Sequence, residues 1–316
     1  MKALAALLLC AAGAAAAAQT RHKQVPEQVH EGLCDASAAV ALDAQHFVVA
    51  DDESNRLTVY RRGAGRPVGH VELDAFLKTG KEADLEGAAQ MGGRIYWIAS
   101  HARNSAGKRR EDRLRFFATA ARGATLAPVG RPYTALLDDL LAAPALAALH
   151  LADAAARAAE AEGGLNIEGL AAGPDGSLLI GLRNPVPQGR ALLIPLLNPA
   201  ELVEGRGPAR LGNAITLDLG GRGLRSIERV GSGYLIAAGP SADAGSFALF
   251  RWSGRPADAP LPVALELGTL RPEALFAWPD GQVTLLSDDG GLMVGKKACK
   301  DAAPARRAFR ALNFKP

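Results

Sequence analysis

Carboxylates recur at one position of a repeat in this 316-residue sequence, and they are its residues best suited to chemistry. In each copy of the repeat this position begins a short apolar segment, and a second apolar segment begins ten residues later. The position holds Ser37, Glu86, Glu168 and Glu273, and a fifth, shortened copy keeps Glu228. Oxygen ligands from several copies suit Ca²⁺ or Mg²⁺. We therefore expect Glu86, Glu168, Glu228 and Glu273 to be candidate ligands of such a cation.

A second set of polar residues lies fifteen positions further on, just past the second segment. This set contains Asp52, His101, Arg183 and Asp288. His101 and Asp288 are candidate catalytic residues, because imidazole and carboxylate groups transfer protons. Guanidinium groups suit the recognition of anions. The candidate ligand-binding residues are Asp52, Arg103, Arg183, Asn184 and Arg225.

The elements that must position these side chains are predicted to be antiparallel strands. A turn such as Gly-Pro-Asp-Gly at residues 173–176 separates the two segments of each copy, and such turns are typical of hairpins. A third strand, and in several copies a fourth, follows. Four antiparallel strands in units of about 45–60 residues are typical of propeller blades. The predicted fold is an all-β propeller of about five blades, with six blades as the rival count.

One stretch departs from this pattern. Residues 133–162 are rich in alanine and leucine, which favour helices, and Pro144 is expected to divide two of them. We predict an α-helical insertion between the second and third blades. It either packs on the outside of the propeller or covers one face as a lid.

The repeated carboxylates should meet at one mouth of the propeller channel. The first strand of a blade lines the channel and the second runs back beside it, so the start of one and the end of the other share a face. Carboxylates gathered there repel one another and need bound cations, paired arginines or raised pKa values. A structural alternative is that each glutamate accepts backbone N–H groups from the neighbouring blade and locks the blades together.

The N-terminus has the three parts of a secretory signal. Lys2 precedes an apolar run, and small residues at 16–18 offer a cleavage site. We predict a signal peptide at residues 1–18, a propeller domain at residues 19–316 and a periplasmic or secreted protein. No other stretch is long and apolar enough to suggest a membrane span. In an oxidising compartment Cys34 and Cys299 are expected to form a disulfide, with two separate buried thiols as the alternative.

Charge and composition exclude some classes of function. The chain has 36 basic and 33 acidic side chains and a formal net charge of +3. So small an excess argues against a nucleic-acid-binding surface. Only six histidines are present, so a zinc cluster of His and Cys is not expected.

Several segments together carry a family resemblance. They are DASAAVAL, LEGAA with YWIASHARN, IEGLA with LLIGLRNP, GLRSIER, and PEAL with SDDG, within residues 34–290. In these motifs the chain resembles a bacterial family known as domain of unknown function 3616. The resemblance implies an exported, propeller-like fold and brings no established activity.

Three functions fit the predicted mouth, and the sequence leaves open whether the protein is an enzyme. The first is binding of a small polar or anionic ligand by Arg103, Arg183 and Arg225. The second is hydrolysis of a phosphoester or ester with a divalent cation held by the glutamates. The third is an interaction scaffold that binds a component of the cell envelope.

Overall fold

The structure, a computed structural model, describes residues 27–242 and 244–316. The predicted signal peptide at residues 1–18 lies outside the described residues. None of the helices in the described part of the chain has the length and apolar character needed to cross a membrane.

Five four-stranded antiparallel sheets form the blades of a propeller, which confirms the predicted fold class. The described chain begins with β1 (Gln28–Glu31), which joins the last sheet. Blade 1 contains β2 (Ala36–Ala41), β3 (His46–Asp51), β4 (Arg56–Arg61) and β5 (Pro67–Glu72). Blade 2 contains β6 (Leu85–Met91), β7 (Arg94–Ala99), β8 (Phe116–Arg122) and β9 (Thr125–Tyr133). Blade 3 contains β10 (Asn166–Ala172), β11 (Leu178–Asn184), β12 (Ala191–Leu196) and β13 (Ile215–Leu217). Blade 4 contains β14 (Gly223–Val230), β15 (Gly233–Gly239), β16 (Ala248–Trp252) and β17 (Leu261–Val263).

Blade 5 closes the ring with strands from both ends of the described chain. It is built from β18 (Pro272–Ala277), β19 (Val283–Ser287), β22 (Ala308–Phe314) and β1. The short hairpin of β20 (Met293–Val294) and β21 (Lys297–Ala298) precedes β22. The predicted disulfide between Cys34 and Cys299 is confirmed, and it joins two residues separated by 265 positions. On chain-entropy grounds a loop of this length disfavours the unfolded state by roughly 5 kcal/mol.

Small residues let the inner strands of neighbouring blades pack closely around the channel. The five inner strands β2, β6, β10, β14 and β18 contact one another in a closed ring. A Cβ atom at Gly87 of β6 would lie 2.9 Å from Ile98 Cγ2 and 3.0 Å from Leu170 Cβ. Larger side chains fill the space between blades, such as Phe47 of β3 and Phe276 of β18, which stack at the seam of blades 1 and 5.

The helices are short and lie between blades or at their ends. They are α1 (Asp74–Leu77), α2 (Leu136–Ala142), α3 (Leu151–Ala155) and α4 (Pro199–Val203). The predicted helical insertion is confirmed by α2 and α3, and a 3₁₀ segment that starts at Pro144 separates them. Leu136, Leu140 and Leu151 are buried in one apolar cluster with side chains of blades 2 and 3. Burial of these leucines holds the insertion against the propeller.

Candidate functional site

A β-bulge at the start of each inner strand positions the repeated side chains. In all five blades the pairing between the first two strands skips one residue of the first strand. A bulged residue is left unpaired and its side chain is re-aimed. The skipped residues are Ser37, Glu86, Glu168, Arg225 and Glu273. Arg225 is therefore the blade 4 counterpart of the repeated glutamate.

Glu228 does not hold this position, contrary to the sequence alignment of the shortened copy. It lies three residues beyond the bulge on β14, opposite Leu235 of β15. Its side chain lines a separate space of about 420 Å³ together with Gln90 and Gly173. Burial raises its pKa from 4.5 to about 8. The alignment failed because Arg225, and not Glu228, has the spacing to the second strand that Glu86 has in blade 2.

A cavity of about 870 Å³ lies at the mouth where the bulges meet, and residues from all five blades line it. Most of the residues predicted to form the site are among them. These are Asp52, Glu86, Arg103, Glu168, Arg183, Arg225, Glu273 and Asp288. His101, Asn184 and Glu228 are not part of this lining.

The glutamates of blades 3 and 5 are neutralised by arginines, and we call this group the arginine-paired half. It contains Glu168, Arg183, Arg225 and Glu273. Glu168 Oε1 lies 3.1 Å from Arg183 Nη1, and Glu168 Oε2 lies 3.0 Å from Arg225 Nε. The second contact is an ion pair without an aligned hydrogen bond, since both atoms lack hydrogen-bond partners. Arg225 Nη2 also contacts Glu273, so one buried guanidinium joins blades 3, 4 and 5.

A second group at the cavity is less compensated, and we call its carboxylates Asp52, Asp84 and Glu86 the acidic half, in which only Asp84 has an ion-pair partner among the described residues. One ligand oxygen of each lies within 4.8 Å of the other two. Burial raises the pKa of all three carboxyls, and neighbouring carboxylates raise those of Asp52 and Glu86 further. Arg113, 2.8 Å from Asp84 Oδ2, opposes the shift of Asp84. Two ionised carboxylates about 4 Å apart repel by roughly 4 kcal/mol at an effective dielectric constant near 20.

A second carboxylate group borders the acidic half on the side of blade 5. Asp35, Asp52 and Glu53 also bring one ligand oxygen each within 4.8 Å of the others. Burial, followed by the charge of Asp288, raises the pKa of Asp35 to about 7. Glu53 is paired with Lys300 at 2.7 Å. Negative charge therefore accumulates around Asp52.

Comparison with known families gives one match. The model of a protein family of unknown function, DUF3616, matches residues 133–264. The resemblance to DUF3616 is confirmed. The matched segment holds α2, α3 and blades 3 and 4, and so most of the arginine-paired half. The acidic half precedes the DUF3616 segment.

Solved structures with similar folds are distant in sequence. Glutaminyl cyclase of Myxococcus xanthus is 13% identical, with 93% of this chain and 97% of that chain covered and a TM-score of 0.48. A putative oxidoreductase (glucose dehydrogenase) of Thermus thermophilus is 14% identical, with 91% and 100% covered and a TM-score of 0.43. These values carry no argument about activity. Nothing among the curated proteins matches this sequence.

His101 lies outside the cavity, beneath the helices of the DUF3616 segment. Its Nδ1 atom lies 2.8 Å from the Ala99 carbonyl oxygen, and its ring borders a small space with Leu137 and Ala152. Burial lowers its pKa to about 4. The ring is neutral at pH 7, and its predicted role in proton transfer at the mouth has no support in this geometry.

Asn184 positions the rim of the cavity and does not line it. Its Nδ2 atom donates hydrogen bonds to the carbonyl oxygens of Ala159 and Ala161, at 3.1 and 2.8 Å. Ala159 and Glu160 in turn line the cavity. The helices of the insertion pack against the blades, which is one of the two expected arrangements, and Ala159 and Glu160 that follow them form part of the rim.

The sequence analysis missed the polar residues two positions ahead of the repeated carboxylates. Asp84 precedes Glu86, and Asn166 precedes Glu168, while Arg271 stands ahead of Glu273. All three line the cavity. An alignment of the repeats shows this second column of polar residues, so the signal was present in the sequence.

Proposed function

We propose that the mouth cavity binds a small polar ligand that carries an anionic group. The observation that supports this is that two guanidinium groups at the cavity, of Arg103 and Arg271, have no carboxylate partner among the described residues. Arg103 donates to the carbonyl oxygens of Ala155 and Gly107. Arg271 is exposed, and neither arginine has a carboxylate partner among residues 27–242 and 244–316. A ligand anion would supply that partner.

The other basic side chains of the lining are already paired. Arg183 and Arg225, which the sequence analysis assigned to the ligand, belong to the arginine-paired half. Arg110 lies 2.7 Å from Glu82, and Arg113 and Lys300 have the partners given above. We therefore assign the binding of the anionic group to Arg103 and Arg271 in place of Arg183 and Arg225. The cavity volume falls within the roughly 300–1,000 Å³ of small-molecule sites.

Export of the protein is part of the same proposal. The disulfide between Cys34 and Cys299 supports an oxidising compartment, since cytosolic thiols are kept reduced. A periplasmic or secreted location would give the cavity access to small solutes outside the cytoplasm. Metal-dependent hydrolysis and an envelope scaffold stay predictions.

Calorimetric titration tests the proposed ligand class. The probes are inorganic phosphate and glucose 6-phosphate in buffer containing Mg²⁺, with glucose as the neutral control. We expect at least one of the two anions to bind and glucose not to bind. Arg103→Gln and Arg271→Gln should each weaken anion binding about tenfold, as for the loss of one charge-assisted hydrogen bond.

Arg61→Gln is the matched control for these variants. Arg61 is an exposed arginine of β4, and its replacement should leave the affinity unchanged. The proposal is wrong if neither anion binds the wild-type protein, or if all three variants behave alike.

A further inference from the structure

We propose that Asp52, Asp84 and Glu86 form a binding site for a hard divalent cation, Ca²⁺ or Mg²⁺. The site differs from the ring of four glutamates expected from the sequence. It is confined to blades 1 and 2, and two of its three residues are not repeated glutamates.

Each of the three carboxylates is held by a different local feature. Asp52 follows β3 in a turn closed by a hydrogen bond from the Glu53 N–H to Asp51 Oδ1, at 2.9 Å. Asp84 has a left-handed backbone, with φ of 59°, directly before β6. Glu86 is the bulged residue of β6. Rigid elements thus bring three oxygen donors within 4.8 Å of one another.

Asp84 is oriented for this role by partners on one of its oxygens. Arg113 and Ser100 both contact Oδ2. Its other oxygen, Oδ1, makes no hydrogen bond or ion pair with a described residue. Carboxylates that bind metal ions are commonly held in this way by hydrogen bonds to other groups.

Carboxylates without partners in the protein provide the second line of evidence. Glu86 is 8% exposed and lines the cavity. Within the described part of the chain it has no hydrogen-bond or ion-pair partner. Oδ1 of Asp52 is also buried without a partner. Burying such atoms is unfavourable unless something compensates them, and a cation compensates Asp52 and Glu86 together.

The repeat shows why the compensating group is a cation from solution. Glu168 and Glu273 occupy the same bulge position as Glu86, and Arg225 neutralises both of them. No described arginine or lysine makes an ion pair with Glu86. The three donors are all carboxylate oxygens, which suit Ca²⁺ and Mg²⁺ and not softer metals.

A bound cation would also assist the anionic ligand, and this step rests on the proposed function. The cation site and the guanidinium groups of Arg103 and Arg271, which have no carboxylate partner among the described residues, border the same cavity. An anion could then contact the cation and the arginines at once. Anion affinity would therefore rise when the cation is present.

Titration of chelator-treated protein with Ca²⁺ alone and with Mg²⁺ alone tests the site, by calorimetry and by melting temperature. We expect one of the cations to bind and to raise the melting temperature by mass action. Asp52→Asn and Glu86→Gln should each weaken binding at least about tenfold, a loss typical even of residues that only orient a ligand. Glu273→Gln, at the same repeat position outside the cluster, should keep the cation affinity. Far-ultraviolet circular dichroism checks that each variant is folded.

The outcomes separate this inference from the proposed function. Wild-type protein that binds neither cation would overturn the site, and so would unchanged affinity in folded Asp52→Asn and Glu86→Gln. Cation binding without any anion binding would support the site and contradict the proposed function. Anion binding that ignores both cations would leave the ligand proposal standing and remove the bridging step.

Discussion

The two halves of the mouth use the same repeat position and reach opposite electrostatic states. In the arginine-paired half, Arg225 takes the place of a glutamate and neutralises Glu168 and Glu273 on either side. In the acidic half, Glu86 is flanked by Asp52 and Asp84, and within the described part of the chain only Asp84 has a basic partner. The arginine that replaces the glutamate in blade 4 therefore determines which of the repeated glutamates have a positively charged partner within the protein.

This difference separates structural from ligand-binding roles within one repeat. Glu168 and Glu273, on either side of Arg225, join blades through ion pairs. This resembles the structural alternative considered from the sequence, although the partners are arginines and not backbone N–H groups. Glu86 makes no such ion pair with any residue that the structure describes. A repeated residue therefore has two roles in one protein, and its neighbours determine which.

Removal of Arg225 should have the largest effect on this comparison. Arg225 is 6% exposed and Glu168 is 3% exposed. Arg225→Met would leave the charge of Glu273 buried without its partner and remove one of the partners of Glu168. Breaking a buried ion pair from one side typically costs about 3–5 kcal/mol. We expect a loss of that size in the free energy of unfolding, measured by urea denaturation.

Arg56→Met is the matched control for Arg225→Met. Arg56 also pairs with a glutamate, Glu72, but both side chains are about half exposed. Exposed pairs contribute about 0–1 kcal/mol. Similar losses in the two variants would show that the pairs of Arg225 do not hold the blades.

Glu228 provides a third environment, a half-buried glutamate without an arginine partner among residues 27–242 and 244–316, and its effect should be smaller. Its pKa is raised from 4.5 to about 8 by burial. The folded protein therefore holds a proton that the unfolded chain releases above pH 4.5, so this contribution to stability is present at low pH and lost as the pH rises through about 8. Because the side chain keeps some exposure, we expect a loss of about 2 kcal/mol.

Urea denaturation at about pH 6 and about pH 9 measures this dependence. Glu228→Gln should remove that part of the pH dependence, whereas Glu72→Gln, at an exposed site, should retain it. Identical pH profiles for wild type and Glu228→Gln would mean that Glu228 is ionised in the folded protein at pH 6.

The fold was predictable because its signals are local. Turn residues and apolar segments recur in every blade, so strand order and blade number follow from the repeat. The disulfide where the propeller ring closes was also predictable from the sequence, since Cys34 and Cys299 lie near the two ends of the propeller. Even the helical insertion was marked by its composition.

The division of the mouth was not predictable by the same means. It depends on which residue occupies each bulge, and in β14 that residue is Arg225, although the motif that resembles the other copies places its glutamate further along the strand. Glu228 and Arg225 are only three residues apart, yet they lie at different sites. The fifteen-residue count also misplaced His101 at the mouth. Its left-handed backbone, with φ of 55°, directs the chain away from the position that the count assigns.

The smallest expected effect is that of Glu86→Gln on the free energy of unfolding, and its sign should be opposite to that of Glu168→Gln at the equivalent position of blade 3. In chelator-treated protein, Glu86→Gln should stabilise the fold by about 1 kcal/mol, because it removes the repulsion from Asp52 and Asp84 that the raised pKa values of these carboxyls do not already relieve. Glu168→Gln should destabilise it, because Arg183 and Arg225 lose a charged partner. Saturating cation should reverse the sign for Glu86→Gln, since the wild type then gains binding energy that the variant lacks. Urea denaturation with and without cation gives all four values. Destabilisation by both variants in chelator would mean that the two halves of the mouth are electrostatically alike.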